Sequence, residues 1–203
     1  AGMNYEDIGR RMARYTSGIS ASVDLKSKVD QMGSGHDFLE FTTSALEENL
    51  DQMVDLLADL VVRWDFTDKE RTEILINKRT AKWRNSIAGS GHQFAALAAS
   101  RTFSSNCERD EAYFGIGQLH FMERLTKKSE QLGETIEYLN SLAQKILQQE
   151  NLSVVTVSAS NQVELIKGSL GRLIGLLPKS DSQVEAHPLS HPKVEHLIEA
   201  NVL

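Results

Sequence analysis

Cysteine is almost absent from this sequence, and its scarcity limits the chemistry available to the chain. Cys107 is the only cysteine among 203 residues, which excludes an internal disulfide and any zinc site built from several cysteines. So little cysteine favours a reducing compartment, either the cytoplasm or an organelle matrix. Because Arg109 is the only cationic residue near Cys107, we expect a packing or surface thiol and not a nucleophile.

Long apolar runs and an excess of positive charge are also missing. No stretch approaches the roughly 18 apolar residues that a membrane-spanning helix needs, and the first residues form neither a basic nor an apolar signal region. We therefore expect no membrane partner and no secretion signal within this chain. The sequence has 22 Lys and Arg against 28 Asp and Glu, a net charge of −6, without any basic block. This balance argues against nucleic acid as a partner.

Proline is confined to the last part of the chain. The three prolines are Pro178, Pro188 and Pro192, and they lie in a polar stretch of the kind that connects domains. We therefore predict one packed domain over residues 1–177 and a linker over residues 178–203 that leads toward a following domain. With 40% apolar residues, the first part can build a hydrophobic core.

Apolar residues recur at helical spacing through most of the chain. The pattern predicts a first helix that begins after Asn4 and ends at Gly18, and a second with a wide apolar stripe from Leu46 to Val61. Thr67 and Glu70 have the spacing of a capping box and predict the start of a long helix. The later predicted helices run through residues 67–87, 94–99, 116–125, 132–147 and 163–177, with a break at Gly89-Ser90-Gly91 and a cap pair of Asn161 and Glu164.

Two alternating runs, residues 19–26 and 39–43, predict antiparallel strands that pair around Gly33-Ser34-Gly35. The valine-rich run from Leu152 to Ala159 predicts a third, buried strand. Three strands are few for so many amphipathic helices. We therefore predict an α+β fold, an antiparallel sheet packed by helices with a long helical insertion, and we expect that it is incomplete at its N-terminus.

No complete catalytic motif is present. A His-x-x-Glu-His run places two histidines on one helical face for zinc, and the nearest approach here, from His191 to His196, puts the histidines five residues and about 140° apart. With His187 they could form a flexible metal-binding cluster, but a solvated linker is the commoner explanation. There is no G-x-S-x-G run for a nucleophilic serine and no complete phosphate-binding glycine motif.

Ser90, Gly91 and His92, followed by Arg101, form the polar group that most resembles a site. A histidine flanked by glycine at the start of a helix can contact a bound peptide, or it can cap the helix and pack its loop. Both interpretations stay open at this stage. We take these four residues as candidates for substrate contact.

Two stretches resemble a known family. They are residues 15–22, Tyr-Thr-Ser-Gly-Ile-Ser-Ala-Ser, and residues 90–102, with Ser-Gly-His followed by Ala95, Ala99, Arg101 and Thr102. Both resemble the presequence proteases, pitrilysin-family zinc metallopeptidases of the inverted-motif type, in which two bowl-like halves enclose unfolded peptides. The order of elements is similar to their third domain, a pitrilysin-type domain that starts the non-catalytic C-terminal half.

The resemblance implies a zinc metalloendopeptidase as the parent protein and no catalytic or metal-binding residue in this segment. The family's zinc ligands and general base lie in the N-terminal domain, and its Arg-x-x-Gly-Gly-x-Tyr run lies in the fourth domain, so neither is carried onto Tyr15, Tyr113 or Arg101. We expect the segment to bind no zinc itself, to form chamber wall against the other domains of the same chain, and to enclose unfolded peptide.

Two alternatives remain. The chain could belong to a structural or interaction subunit, a pitrilysin-like protein that has lost catalysis. It could also be an unrelated globular domain, which would fold without an exposed sheet edge or an unfinished core.

Overall fold

The structure is a computed structural model, and it describes residues 5–27, 35–64, 66–127 and 129–179. Strands β1 (Ile19–Ser27) and β2 (Gly35–Thr43) form a two-stranded antiparallel sheet, which confirms the predicted α+β class with a long helical insertion. The helices of this part of the chain are α1 (Tyr5–Tyr15), α2 (Leu50–Val62), α3 (Lys69–Ser100), α4 (Ser105–Phe114), α5 (Ile116–Lys127), α6 (Ser129–Ile146) and α7 (Val163–Leu176). Short 3-10 turns occupy Glu47–Asn49, Gln149–Asn151 and Ser160–Gln162.

The turn from α1 into β1 depends on a glycine. Helix α1 ends at Tyr15, and Gly18 follows with a φ of 115°, a conformation that side chains disfavour. The backbone N–H of Ser17 donates to the carbonyl of Ser44 at 2.9 Å, and Thr43 Oγ1 donates to the carbonyl of Gly18 at 3.0 Å. These bonds join the start of β1 to the end of β2. The predicted cap, Asn4, lies outside the described residues.

The chain divides into two compact units, of which the first contains Ala1–Ser22, Leu39–Phe66 and Tyr138–Glu185. Helices α1, α2 and α7 lie in this unit, and α2 packs against both of the others. Val54 and Ala58, four residues apart on one face of α2, are buried with Leu173 of α7. The partly buried residues around them are Leu50, Met53, Leu57 and Leu170. The predicted stripe on α2 is therefore a core face.

The second unit contains Val23–Phe38, Thr67–Glu137 and Ala186–Leu203. Helices α3, α4 and α5 pack together in this unit, and the chain turns sharply between the last two. The buried apolar side chains of these helices are Phe94, Leu119, Met122 and Leu125. An ion pair between Arg84 and Glu123 joins α3 to α5. The helical insertion therefore builds a core of its own.

The long helix α3 differs from the prediction at both its start and its middle. Its N-cap is Asp68, whose side chain accepts from the backbone N–H of Arg71 at 2.8 Å, so the capping box of Thr67 and Glu70 is wrong by one residue. The helix also continues through the predicted break and is only kinked, because Ser90 alone leaves the helical region, at φ −129° and ψ 25°. A glycine costs about 1 kcal/mol in a helix, which burial of Phe94 on the far side can offset.

Two predictions near α7 are also wrong. The N-cap of α7 is Gln162, without a side-chain cap bond, and Asn161 lies in the preceding 3-10 turn. Residues 152–159, which we call the valine segment, contain no assigned strand and are largely exposed instead of buried. Strand pairing needs a second edge, and no described residue supplies one. The predicted linker falls mainly on residues 180–203, outside the described residues, so its boundary stays a prediction.

Candidate functional site

The predicted polar group lies at the kink of α3. Gly91 and His92 are exposed, Ser90 is half-buried, and neither the Ser90 nor the His92 side chain bonds to a described residue. A Cβ added at Gly91 would meet nothing within 4 Å, so close packing does not require glycine there. The kink therefore presents a histidine to solvent at a point where backbone groups leave the regular helix.

Arg101 is separated from this kink. It is the half-buried C-cap residue of α3. In an α-helix, nine residues correspond to about 13 Å along the axis and to about half a turn of rotation beyond two full turns. His92 and Arg101 therefore lie on opposite faces of the helix and do not converge on one small ligand. Contact with both would require an extended ligand, such as a peptide that runs along or around the helix.

Residues missed by the sequence analysis join the β-hairpin to α4 in the second unit. Asn106 Nδ2 donates to Ser27 Oγ at 2.7 Å, and Arg109 Nε lies 3.1 Å from Asp37 Oδ1 as an ion pair without hydrogen-bond geometry. Burial raises the pKa of the neighbouring Asp110, which Arg109 lowers and Asp37 raises further. These groups hold two elements together, so we interpret the cluster as structural.

The first unit contains a small apolar pocket of about 230 Å³. It is lined by Val61, Val62, Trp64, Ala143, Gln144, Leu147, Gln148, Leu177 and Pro178. Ligand pockets usually hold about 300–1,000 Å³ and carry several convergent polar groups. With two glutamines as its only polar side chains, this pocket offers no titratable group and no chemistry.

The residues present do not fit a zinc ion. Among residues 5–27, 35–64, 66–127 and 129–179, no group of three or more His, Cys, Asp or Glu side chains converges on a point that could hold a metal. The histidines at 187, 191 and 196 lie outside these ranges. Within the same ranges, no helix is long and apolar enough to cross a membrane.

Comparison with known proteins places this helical α+β chain in a family. Residues 1–125, more than half of the chain, match the family described as associated with subfamily C of the peptidase family M16, and the chain belongs to that family. The resemblance to presequence proteases of the pitrilysin family, inferred from residues 15–22 and 90–102, is confirmed.

Curated relatives extend the match over nearly the whole chain. The chain is 23% identical over 196 residues to "Presequence protease, mitochondrial" of Danio rerio, which covers 97% of the chain and 19% of that protein. The protein of the same name from Yarrowia lipolytica is 31% identical over 151 residues, covering 73% and 15%. That of Xenopus laevis is 22% identical over 183 residues, covering 90% and 18%. The chain therefore spans less than a fifth of the length of these relatives.

Proposed function

We propose that this chain is a non-catalytic, chamber-forming segment of a zinc metalloendopeptidase that degrades unfolded peptides. The observation that carries the proposal is the combination of family membership with the lack of a His-x-x-Glu-His run anywhere in the sequence. In this proposal, the zinc and the general base belong to another part of the parent chain. The segment encloses substrate and does not cut it.

The site geometry supports a role in confinement. Ser90, Gly91, His92 and Arg101 are spread along one helix without converging, an arrangement that suits several weak contacts to an extended chain better than one reaction centre. A hydrogen-bonding histidine and a long guanidinium can both contact peptide carbonyl groups without regard to sequence. Such contacts would hold many different unfolded peptides.

The relatives' names also suggest where the parent acts. Three proteins named as mitochondrial presequence proteases align with most of the chain, and we place the parent in an organelle matrix on that basis. The other domains of the parent chain are the proposed lasting partners of this segment, and unfolded peptide is its transient partner.

The decisive experiment compares the full-length parent with the 203-residue chain. Both are purified, depleted of metal, and assayed on an unfolded peptide before and after zinc is restored. We expect hydrolysis only by the parent and only with zinc. The isolated chain should be inactive in both conditions, because it contains no motif to hold or activate a water molecule.

Two results would overturn the proposal, each in a different way. Hydrolysis by the isolated chain, persisting in a preparation free of contaminating protease, would mean that the segment has its own active site. A zinc-replete parent that binds partner proteins but hydrolyses no peptide would support the inactive structural subunit instead.

A further inference from the structure

The valine segment, residues 152–159, is anchored firmly at both ends. Before it, the backbone N–H of Gln149 donates to the carbonyl of Pro178 at 3.0 Å, and Gln149 Nε2 donates to the carbonyl of Leu177 at 2.9 Å. After it, Gln162 Nε2 donates to Glu47 Oε2 at 2.7 Å. All of these residues belong to the first unit. The segment is therefore a fixed part of that unit and not a loose loop.

Between these anchors, the backbone is extended where it is entered and left. Leu152 has φ −86° and ψ 129°, and Ala159 has φ −66° and ψ 148°. Backbone groups of residues 153–158 make no hydrogen bond to any described residue. Both edges are therefore open, although the segment has the conformation and the β-branched composition of a strand.

The side chains make the exposure costly. Val155 and Val157, which share one face of an extended chain, are 91% and 98% exposed, and Val154 on the other face is 43% exposed. The segment contains no charge, glycine or proline, the features that natural proteins use to protect an open edge. An uncharged, valine-rich edge of this kind pairs readily with other strands and aggregates when it is left free.

We propose that the valine segment is one strand of a larger sheet, and that its partner is a strand from the same polypeptide outside these 203 residues. The relatives supply the room for it, because the chain spans only 15–19% of their length. An unprotected edge favours a partner that is present whenever the protein folds, which a strand of the same chain always is. An uncharged edge also carries no electrostatic complementarity for selecting a separate protein.

In this arrangement, the partner strand takes up the open backbone groups, and an apolar layer covers Val155 and Val157. The inference requires only that the chain is part of a longer polypeptide. It holds equally for an active peptidase and for an inactive relative. Its failure can therefore be distinguished from failure of the proposed function.

Hydrogen exchange in the full-length parent, without added peptide, tests the inference. We expect amides of residues 153–158 to exchange at least about a hundredfold more slowly than in a free peptide of the same sequence. The protection should not change with protein concentration. Exchange at the rate of the free peptide would overturn the inference.

Two other outcomes would also overturn it by assigning a different partner. Protection that appears only as the protein concentration rises would indicate a second copy of the chain. Protection that appears only after an unfolded peptide is added would indicate a substrate strand.

A matched pair of variants tests burial of the valine face in the same full-length protein. Val157→Asp should speed exchange of residues 153–158 at least about tenfold, because a charge would be buried beneath the covering layer. Leu46→Asp places the same charge at an extended, apolar position that is 69% exposed, and it should leave their exchange unchanged. Equal exchange in Val157→Asp and the unmodified parent would contradict the proposed cover.

Discussion

Ser169 donates a hydrogen bond to Asp51 across the α2–α7 interface, with 2.7 Å between Oγ and Oδ1. The hydroxyl is almost completely buried, at 1% exposure, although the carboxylate is half-exposed and also pairs with Arg172. The hydrogen bond from Ser169, followed by the contact with Arg172, holds the pKa of Asp51 below its usual range. Polar contacts therefore reinforce the apolar packing of α2 against α7.

The Asp51 contact predicts a specific acid sensitivity. A carboxyl whose pKa is lower in the folded state stabilises that state above about pH 4, and the contribution disappears as the pH falls through the folded-state pKa. Ser169→Ala should therefore lower the free energy of unfolding more at pH 7 than at about pH 2. Urea unfolding at the two pH values measures the difference. An equal loss at both would show that Ser169 acts by packing alone.

Asp110 predicts the opposite dependence on pH. Burial raises its pKa in the folded state, so the ionised group opposes folding once the pH exceeds its unfolded-state value. Asp110→Asn should stabilise the chain near pH 7, and its advantage should vanish at about pH 3, where both forms are neutral. Unfolding curves at the two pH values test this. A variant that is less stable at pH 7 would contradict the interpretation.

The core of the first unit predicts a large effect at Leu56, which is 0% exposed. Leu56→Ala should cost about 2–5 kcal/mol, because it removes buried methyl groups and leaves a cavity. The same substitution at Leu165, also helical but 48% exposed, should cost less than about 1 kcal/mol. Urea denaturation of both variants compares them. Similar losses would mean that burial at Leu56 contributes little.

The N-cap of α3 predicts a smaller, local effect. Asp68→Ala removes the acceptor for the backbone N–H of Arg71 and should cost about 1 kcal/mol. Asp68→Asn keeps an acceptor of the same shape and should retain nearly all of the stability. Thermal unfolding of the three proteins decides between a cap and a charge effect, since a loss in the Asn variant equal to that in the Ala variant would indicate charge.

The proposed peptide contact at the kink predicts a kinetic signature in the full-length parent. His92→Ala should raise KM for an unfolded peptide about fivefold with kcat unchanged, the effect of losing ~1 kcal/mol of uniform binding. Gln93→Ala, at the exposed neighbouring position, serves as the control and should leave both constants unchanged. A fall in kcat for His92→Ala would instead give the residue a role in the chemical step.

Local patterns predicted most of the helices and the paired strands, because helical periodicity and strand alternation are properties of neighbouring residues. The stripe on α2 is an example, with Val54 and Ala58 buried as expected. Helix α4 was not predicted, since Ser105–Phe114 has no clear apolar period. The signal that could have revealed it is Ser104, whose side chain caps the helix by accepting from the backbone N–H of Cys107.

The valine segment marks the limit of such patterns. Its composition correctly indicates extended backbone at both ends, but strand pairing depends on a distant part of a polypeptide, which no local pattern contains. The separation of His92 from Arg101 has a related cause. The prediction ended one helix at Gly89 and began another after it, whereas α3 runs on to Ser100 and fixes the two residues on opposite faces.

Hydrogen exchange of a catalytically inactive, full-length parent, with and without a saturating unfolded peptide, tests most directly whether this segment encloses substrate. We predict that the peptide slows exchange within these 203 residues, most strongly around the kink from Ser90 to Arg101. Slower exchange elsewhere in the parent, with every amide of this segment unchanged, would contradict the proposed role.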